Sequence, residues 1–183
     1  MKVLIIAGMA GAGKTEFAEY CKQNGIRVIN MGDLVRERVH ELGLEPTSRN
    51  TARVASEERI KFGNDIWARR STALLDKTDC IIDGTRSEAE VSYFRRSIGK
   101  SAFVIAVYAP SRIRFARLRA RGREDSPLSE GEFEERDRRE LGWGLGNVVA
   151  LADRVVINEG TLEEFRKSVD SLLKELGIKG GVE

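Results

Sequence analysis

The sequence predicts an α/β fold, a three-layer α/β/α sandwich around a five-stranded parallel sheet, on three observations. Continuous apolar runs recur along the chain. Helical periodicity fills the gaps between them, and several helix starts carry capping signals. At 183 residues the chain is long enough to bury a sizeable core as one domain spanning 1–183.

VLIIA (Val3–Ala7) has the unbroken apolar character of a strand covered on both faces. RVIN (Arg27–Asn30) is a shorter candidate, and DCIID (Asp79–Asp83), AFVIAVYA (Ala102–Ala109) and RVVIN (Arg154–Asn158) repeat the pattern. Between them, Val35, Val39 and Leu42 share a helical face, as do Ile66 and Trp67 with Leu74, and Val91 and Phe94 with Ile98. The last helix is the clearest, with Leu162, Phe165, Val169, Leu172, Leu173 and Leu176 at helical spacing. Ser87 with Glu90, Ser129 with Glu132 and Thr161 with Glu164 each fit a capping box. Gly122–Leu128 and the glycine-rich LGWGLG (Leu141–Gly146) read as mobile loops, and the tail GIKGGVE as a fraying end.

Composition narrows the function classes. A formal charge of +2 gives no general case for nucleic acid or an acidic membrane. The chain has no bilayer-length apolar run and no basic-then-apolar leader, so a cytoplasmic protein without a membrane partner is expected. Cys21 and Cys80 are far apart and read as small core residues. His40 is the one histidine, which excludes a multi-histidine metal site.

Gly8, Met9, Ala10, Gly11, Ala12, Gly13, Lys14 and Thr15 form GMAGAGKT, a match to the phosphate-loop pattern with a strand before it and a helix after it. Glycines let backbone N–H groups turn toward phosphate oxygens, and the helix adds its positive end. Lys14 reaches the β- and γ-phosphates, and the Thr15 hydroxyl is a Mg²⁺ ligand. Asp83 ends an apolar strand at its carboxyl end, where it is either the second metal carboxylate or an ordinary cap of the turn at Ser87. Asp153 borders a strand at the wrong end for that role.

Two arginine-bearing segments open on the same sheet edge, NMGDLVRE (Asn30–Glu37) and IDGTR (Ile82–Arg86). Arg36 and Arg86 there form a candidate site for a second anionic group, unless they are surface residues in helix ion pairs with Glu37 or Glu41. Arg112, Arg114, Arg117, Arg119, Arg121 and Arg123 crowd one helix and its exit. A solvated basic face explains part of this; arginines swung over a transferring phosphoryl group explain another. Nucleic acid is disfavoured because no aromatics beyond Phe115 are interleaved.

These motifs together resemble the P-loop nucleotide kinases, adenylate kinase in particular. MGDLVR is similar to that family's TGD-x-x-R, IDGTR to its DG-x-PR, and RARGR to the start of its lid. The resemblance implies strand order 2-3-1-4-5, with Arg36 and Arg86 on the acceptor phosphate, Arg119 near the donor base and Arg123 on the donor phosphates. Arg136 or Arg139 would complete the catalytic arginines. GIRVINMGDLVRE also resembles a segment of dephospho-CoA kinase, which would make Asp33 a base for a hydroxyl acceptor; its other reading is a helix cap. The chain as a whole resembles an archaeal P-loop family labelled adenylate-kinase-like or dephospho-CoA-kinase-related, through MGD-x-x-R, IDG-x-R, RGR-x-D, RDRRELGWG-x-G and LAD…NE. Glu124-Asp125 departs from the paired aspartates of that pattern.

The expected activity is therefore transfer of the γ-phosphoryl group of ATP, with Mg²⁺, to a small nucleotide or nucleotide-like acceptor, a nucleoside monophosphate ahead of a hydroxyl. Helices over 32–77 would form an acceptor-side flap, and 119–133 a short lid. The alternative is a nucleotide-dependent switch, in which slow ATP hydrolysis changes a surface around WGLG and the arginine-rich helix that docks a protein or RNA.

Overall fold

In the computed structural model, which describes residues 1–122 and 129–180, strand β1 (Val3–Ala7) is buried at every position. Its side chains alternate between two separate cores. Val3, Ile5 and Ala7 enter one cluster, and Leu4 and Ile6 the other. An unbroken apolar run is thus what a central parallel strand needs, because helices cover both of its faces.

The chain continues through α1 (Lys14–Gln23), β2 (Arg27–Asn30), α2 (Met31–Glu41), α3 (Ser48–Phe62), α4 (Ile66–Thr72) and β3 (Cys80–Asp83). Then come α5 (Glu88–Ile98), β4 (Ala102–Tyr108), α6 (Ser111–Ala120), α7 (Glu130–Gly142), α8 (Leu145–Ala150), β5 (Arg154–Ile157) and α9 (Leu162–Glu175). The five strands form one parallel sheet in the order β2-β3-β1-β4-β5. Asn30 lies level with Asp83, and Asp83 with Ile6, so the carboxyl ends of three adjacent strands open together.

One core lies between the sheet and α2, α4, α5 and α8, centred on Trp67, Phe94 and Leu145. The other lies under α1 and α9, where Phe17 meets Phe165 edge-on at 6.5 Å between ring centroids. Cys21 and Cys80 are free and buried, as expected of core residues. Burial pushes their thiols up to about 12 and about 11, so neither is a ready nucleophile.

The capping boxes at Ser87 and Thr161 form in full, and Ser129 accepts the Glu132 N–H at the start of α7. Glu90 does more than close its box. It is fully buried, accepts the Arg86 and Ser87 N–H groups, and pairs with Arg59 of α3 at 3.0 Å. One carboxylate therefore holds the turn carrying Arg86 and ties it to α3. Glu58 plays the same part within 32–77. Burial alone would raise its pKa, but hydrogen bonds from Arg38 and Arg70 bring it below the usual glutamate value.

Four local expectations are corrected. Leu42 caps the end of α2, Leu74 lies just beyond α4 and Leu162 opens α9; all three are roughly half-exposed, so the buried helical faces do not extend to these end positions. LGWGLG is not a mobile loop but a tight junction, where α7 ends at Gly142 and Gly144, at φ 86°, starts α8. The tail does not fray at its first residues, since Ile178 is buried in the α1–α9 core and donates its N–H to Leu173. Finally, Arg114 belongs to no solvated face; it is buried.

Two measurements check this packing. Phe165→Ala should lose about 3–5 kcal/mol in urea unfolding, because it empties a closed core, whereas Leu162→Ala should lose under about 1 kcal/mol. Glu58 has a depressed folded pKa, so its stabilisation is present above the unfolded value and is lost as pH falls through the folded one. Glu58→Gln should therefore flatten the acid limb of the stability–pH curve.

Candidate active site

GMAGAGKT turns from the end of β1 into α1 at the open edge of the sheet. Its glycines are required by contact as well as by conformation. A Cβ on Gly8, at φ 150°, would lie 2.3 Å from the Val107 carbonyl oxygen, and one on Gly13, at φ 115°, would lie 2.2 Å from Asn158 Nδ2. Gly13 also starts α1 with no side-chain cap, which leaves the positive end of that helix facing the loop.

The loop is held from three sides. Asn158, just beyond β5, donates Nδ2–H to the Ala12 carbonyl at 2.8 Å and is itself gripped by Arg117, whose guanidinium donates to Asn158 O and Oδ1. Arg114 donates to the Ala10 carbonyl at 3.1 Å and to Ala109 O, and forms a bidentate pair with Asp137 of α7 at 2.9 and 2.6 Å. Glu140, one turn further along α7, accepts the Ala10 N–H at 3.2 Å through Oε2. Both polar groups of the Ala10 peptide are thus taken by side chains that α7 carries or anchors.

Charge gathers around Lys14. Its ammonium group donates to the Gly8 and Met9 carbonyls at 2.6 and 3.2 Å. Burial lowers its pKa, while Glu140 and Asp83 pull it back up. Asp83 is buried, and burial raises its pKa against the opposing field of Lys14. Its Oδ1 is buried with no hydrogen-bond partner, and Oδ2 receives Asn30 Nδ2 at 3.5 Å. A buried carboxylate oxygen without a donor, in the field of Lys14 at the start of α1, suits a hard cation. Among the described residues no group of three or more His, Cys, Asp or Glu could hold a metal by itself. A cation here would therefore need further oxygens, which phosphate supplies.

The arginines divide. Arg86 and Arg136 turn to this centre: Arg86 lies 4.0 Å from Glu140 Oε1 and its guanidinium stands 5.9 Å from the half-exposed Trp143 ring, and Arg136 Nε lies 3.8 Å from Glu140 Oε1. Arg139 is exposed. Arg36 pairs with Asp33 in the first turn of α2, not with Glu37 or Glu41; Glu41 pairs with Arg38. Asn30, not Asp33, caps α2 by accepting the Gly32 N–H at 2.8 Å, which removes the helix-cap reading of Asp33. A Cβ on Gly84, the residue after Asp83, would lie 3.3 Å from Met31 Cβ and 3.8 Å from Gly32 N, so the start of α2 adjoins the same centre. Arg119 is exposed on α6, with its guanidinium 5.7 Å from the Phe115 ring. Arg123, Glu124 and Asp125 lie outside the described residues, as do 126–128 of the expected lid.

Sequence reasoning missed Arg114, Asp137, Asn158 and Glu140 as site residues. Arg114 sat in an arginine-rich string whose spacing gave no hint of which members turn inward. Asn158 had a signal, its place at the end of an apolar run like Asp83. Arg114→Leu should cost about 3 kcal/mol or more in urea unfolding, since it leaves Asp137 without its partner, whereas exposed Arg112→Ala should stay within about 0.5 kcal/mol.

A family model described as an AAA domain matches residues 4–140. The fold is similar to shikimate kinase from Acinetobacter baumannii (TM-score 0.62, 13% identity, 98% of this chain and 96% of that one). It is also similar to a gluconokinase from Sinorhizobium meliloti 1021 (TM-score 0.59, 13% identity, 96% of this chain and 93% of that one). At such identities the likeness is one of fold, that of the P-loop kinases. In sequence, the chain is 41% identical over 181 residues to the UPF0200 protein of Hyperthermus butylicus, covering 97% of this chain and 96% of that protein. It is 39% identical over 176 residues to the one from Methanosarcina acetivorans, covering 94% of each. With likeness at that level running nearly end to end, as the archaeal motifs implied, the chain belongs to the UPF0200 family.

Proposed function

We propose that the protein is a P-loop kinase that transfers the γ-phosphoryl group of ATP to a small nucleotide or nucleotide-like acceptor. A nucleoside monophosphate is favoured and a hydroxyl acceptor of the dephospho-CoA kind comes second. One observation carries the reading: Lys14, Asp83, Arg86 and Arg136 gather beside the phosphate loop. A loop that only held nucleotide would not need two further arginines at its mouth, whereas phosphoryl transfer draws on such charge.

In this reading the loop amides and the start of α1 bind the nucleotide phosphates. Thr15 and Asp83 would hold Mg²⁺, which when bound neutralises phosphate charge. Lys14 leaves the Gly8 and Met9 carbonyls for the phosphates, and Arg136 and Arg123 steady the transferring group. Arg119 serves the donor base. Arg86 and the Asp33–Arg36 pair face the acceptor, with Asp33 as base if the acceptor is a hydroxyl. Residues 32–77 act as the acceptor-side flap and 119–133 as the lid, which exclude water so that the acceptor competes successfully. No helix among the described residues is long and apolar enough to cross a membrane. As a kinase of this kind, the protein would work on small molecules in the cytoplasm.

The test is incubation with ATP and Mg²⁺ and a panel of nucleoside monophosphates, nucleosides and dephospho-CoA, with products followed by chromatography and mass. An acceptor-dependent phosphorylated product is expected. Arg36→Ala and Arg86→Ala should each lower kcat/KM for the acceptor about a hundredfold. Slow ATP hydrolysis indifferent to every acceptor would overturn the kinase reading in favour of a nucleotide switch.

A further inference from the structure

Glu140 has no role in the reaction just described, yet it lies at its centre. Its side chain is 8% exposed. Oε2 accepts a phosphate-loop N–H, that of Ala10. Oε1 faces the guanidinium groups of Arg136 and Arg86 at 3.8 and 4.0 Å. Among the charges acting on Lys14, Glu140 ranks first. Loop amide, lysine and two arginines are the donors a phosphoryl group uses. They surround a carboxylate that the chain itself supplies.

We infer that Glu140 is an internal anion seated where the terminal phosphoryl group of a nucleoside triphosphate binds, and that it discriminates against the triphosphate relative to the diphosphate. The inference rests on the kinase reading. A buried carboxylate beside an incoming phosphate is a like-charge contact in a poorly screened site, so the two cannot share these donors. The diphosphate stops short of this position and leaves Glu140 in place. The triphosphate drives it out.

What yields is the side chain rather than α7. The bidentate Arg114–Asp137 pair, one turn earlier on the same helix, still fastens α7 to the Ala10 carbonyl when Glu140 lets go of the Ala10 N–H. Arg86 and Arg136 are thereby held ready by Glu140 before the triphosphate arrives; when it does, Arg136 passes to the phosphoryl group and Arg86 is released to the acceptor. Glu140 is a specificity-determining and positioning residue, not one that takes part in bond making.

The experiment is calorimetric titration of the full chain, with Mg²⁺, by ADP and by a non-hydrolysable ATP analogue. Glu140→Gln keeps the shape and can still accept the Ala10 N–H, so it removes the charge alone. The analogue should bind this variant about tenfold tighter than it binds the wild type, while ADP affinity stays within about twofold. If Glu140→Gln does not fold, as judged by thermal unfolding, Glu140→Asp decides. It draws the carboxylate back by one methylene and should favour the analogue in the same direction. Equal changes for both nucleotides, or weaker binding of the analogue, would overturn the inference and leave the kinase reading standing. Failure of both nucleotides to bind wild type and variant alike would overturn both.

Discussion

The active edge depends on one buried guanidinium. Arg114 joins the end of β4, the phosphate loop and α7 by donating to Ala109, Ala10 and Asp137. A charge so deep is tolerable only when it is paired and its donors are satisfied, and these contacts meet that condition. Around it Ala10, Phe115, Leu118 and Phe133 form a small apolar cluster of their own, separate from the two cores of the sheet. The loop, α6 and α7 are thereby fastened to one another, which sets Arg136 and Glu140 of α7 at the loop.

The sheet does the coarser positioning. Asp83, the phosphate loop and the turn at Asn30 leave neighbouring parallel strands at one level, so they meet without any long side chain reaching across. Glycine at positions 8 and 13 lets β4 and Asn158 press directly against the loop. On the far side, Glu90 converts an ordinary capping box into a clamp that sets the turn of Arg86. The same helix-start chemistry that stabilises α5 thus orients a residue of the site.

The arginine-rich helix shows how charge is sorted by geometry. Arg112, Arg119 and Arg121 are exposed, whereas Arg114 is buried and Arg117 grips Asn158. Positions 114 and 117 are one turn apart and share the face turned to the loop. Two of the arginines are therefore structural members of the phosphate site and not a surface for nucleic acid. The centre they support holds two buried carboxylates, Asp83 and Glu140, around the half-buried Lys14.

Much was legible in the residues themselves. Apolar runs placed all five strands, with the ends of three of them off by a single residue; the signal is cleanest in β1 and β3, because a strand covered on both faces has no polar position to spare. The phosphate loop was readable because its backbone geometry admits few residues but glycine. Asp83, Arg86 and Arg36 were assigned to one sheet edge because strand ends in a parallel sheet must open together. The tertiary structure decided what spacing along a chain cannot encode: that Asp33 pairs with Arg36 while Asn30 caps α2, that Arg136 turns in while Arg139 turns out, and that Arg114 is buried. It also brought Glu140 to Ala10 across 130 positions of sequence. A charged residue's sequence neighbours are the same whether it faces water or a buried partner. Only the packing of α7 on the loop chooses, since burying such a charge is favourable solely where its partners already stand.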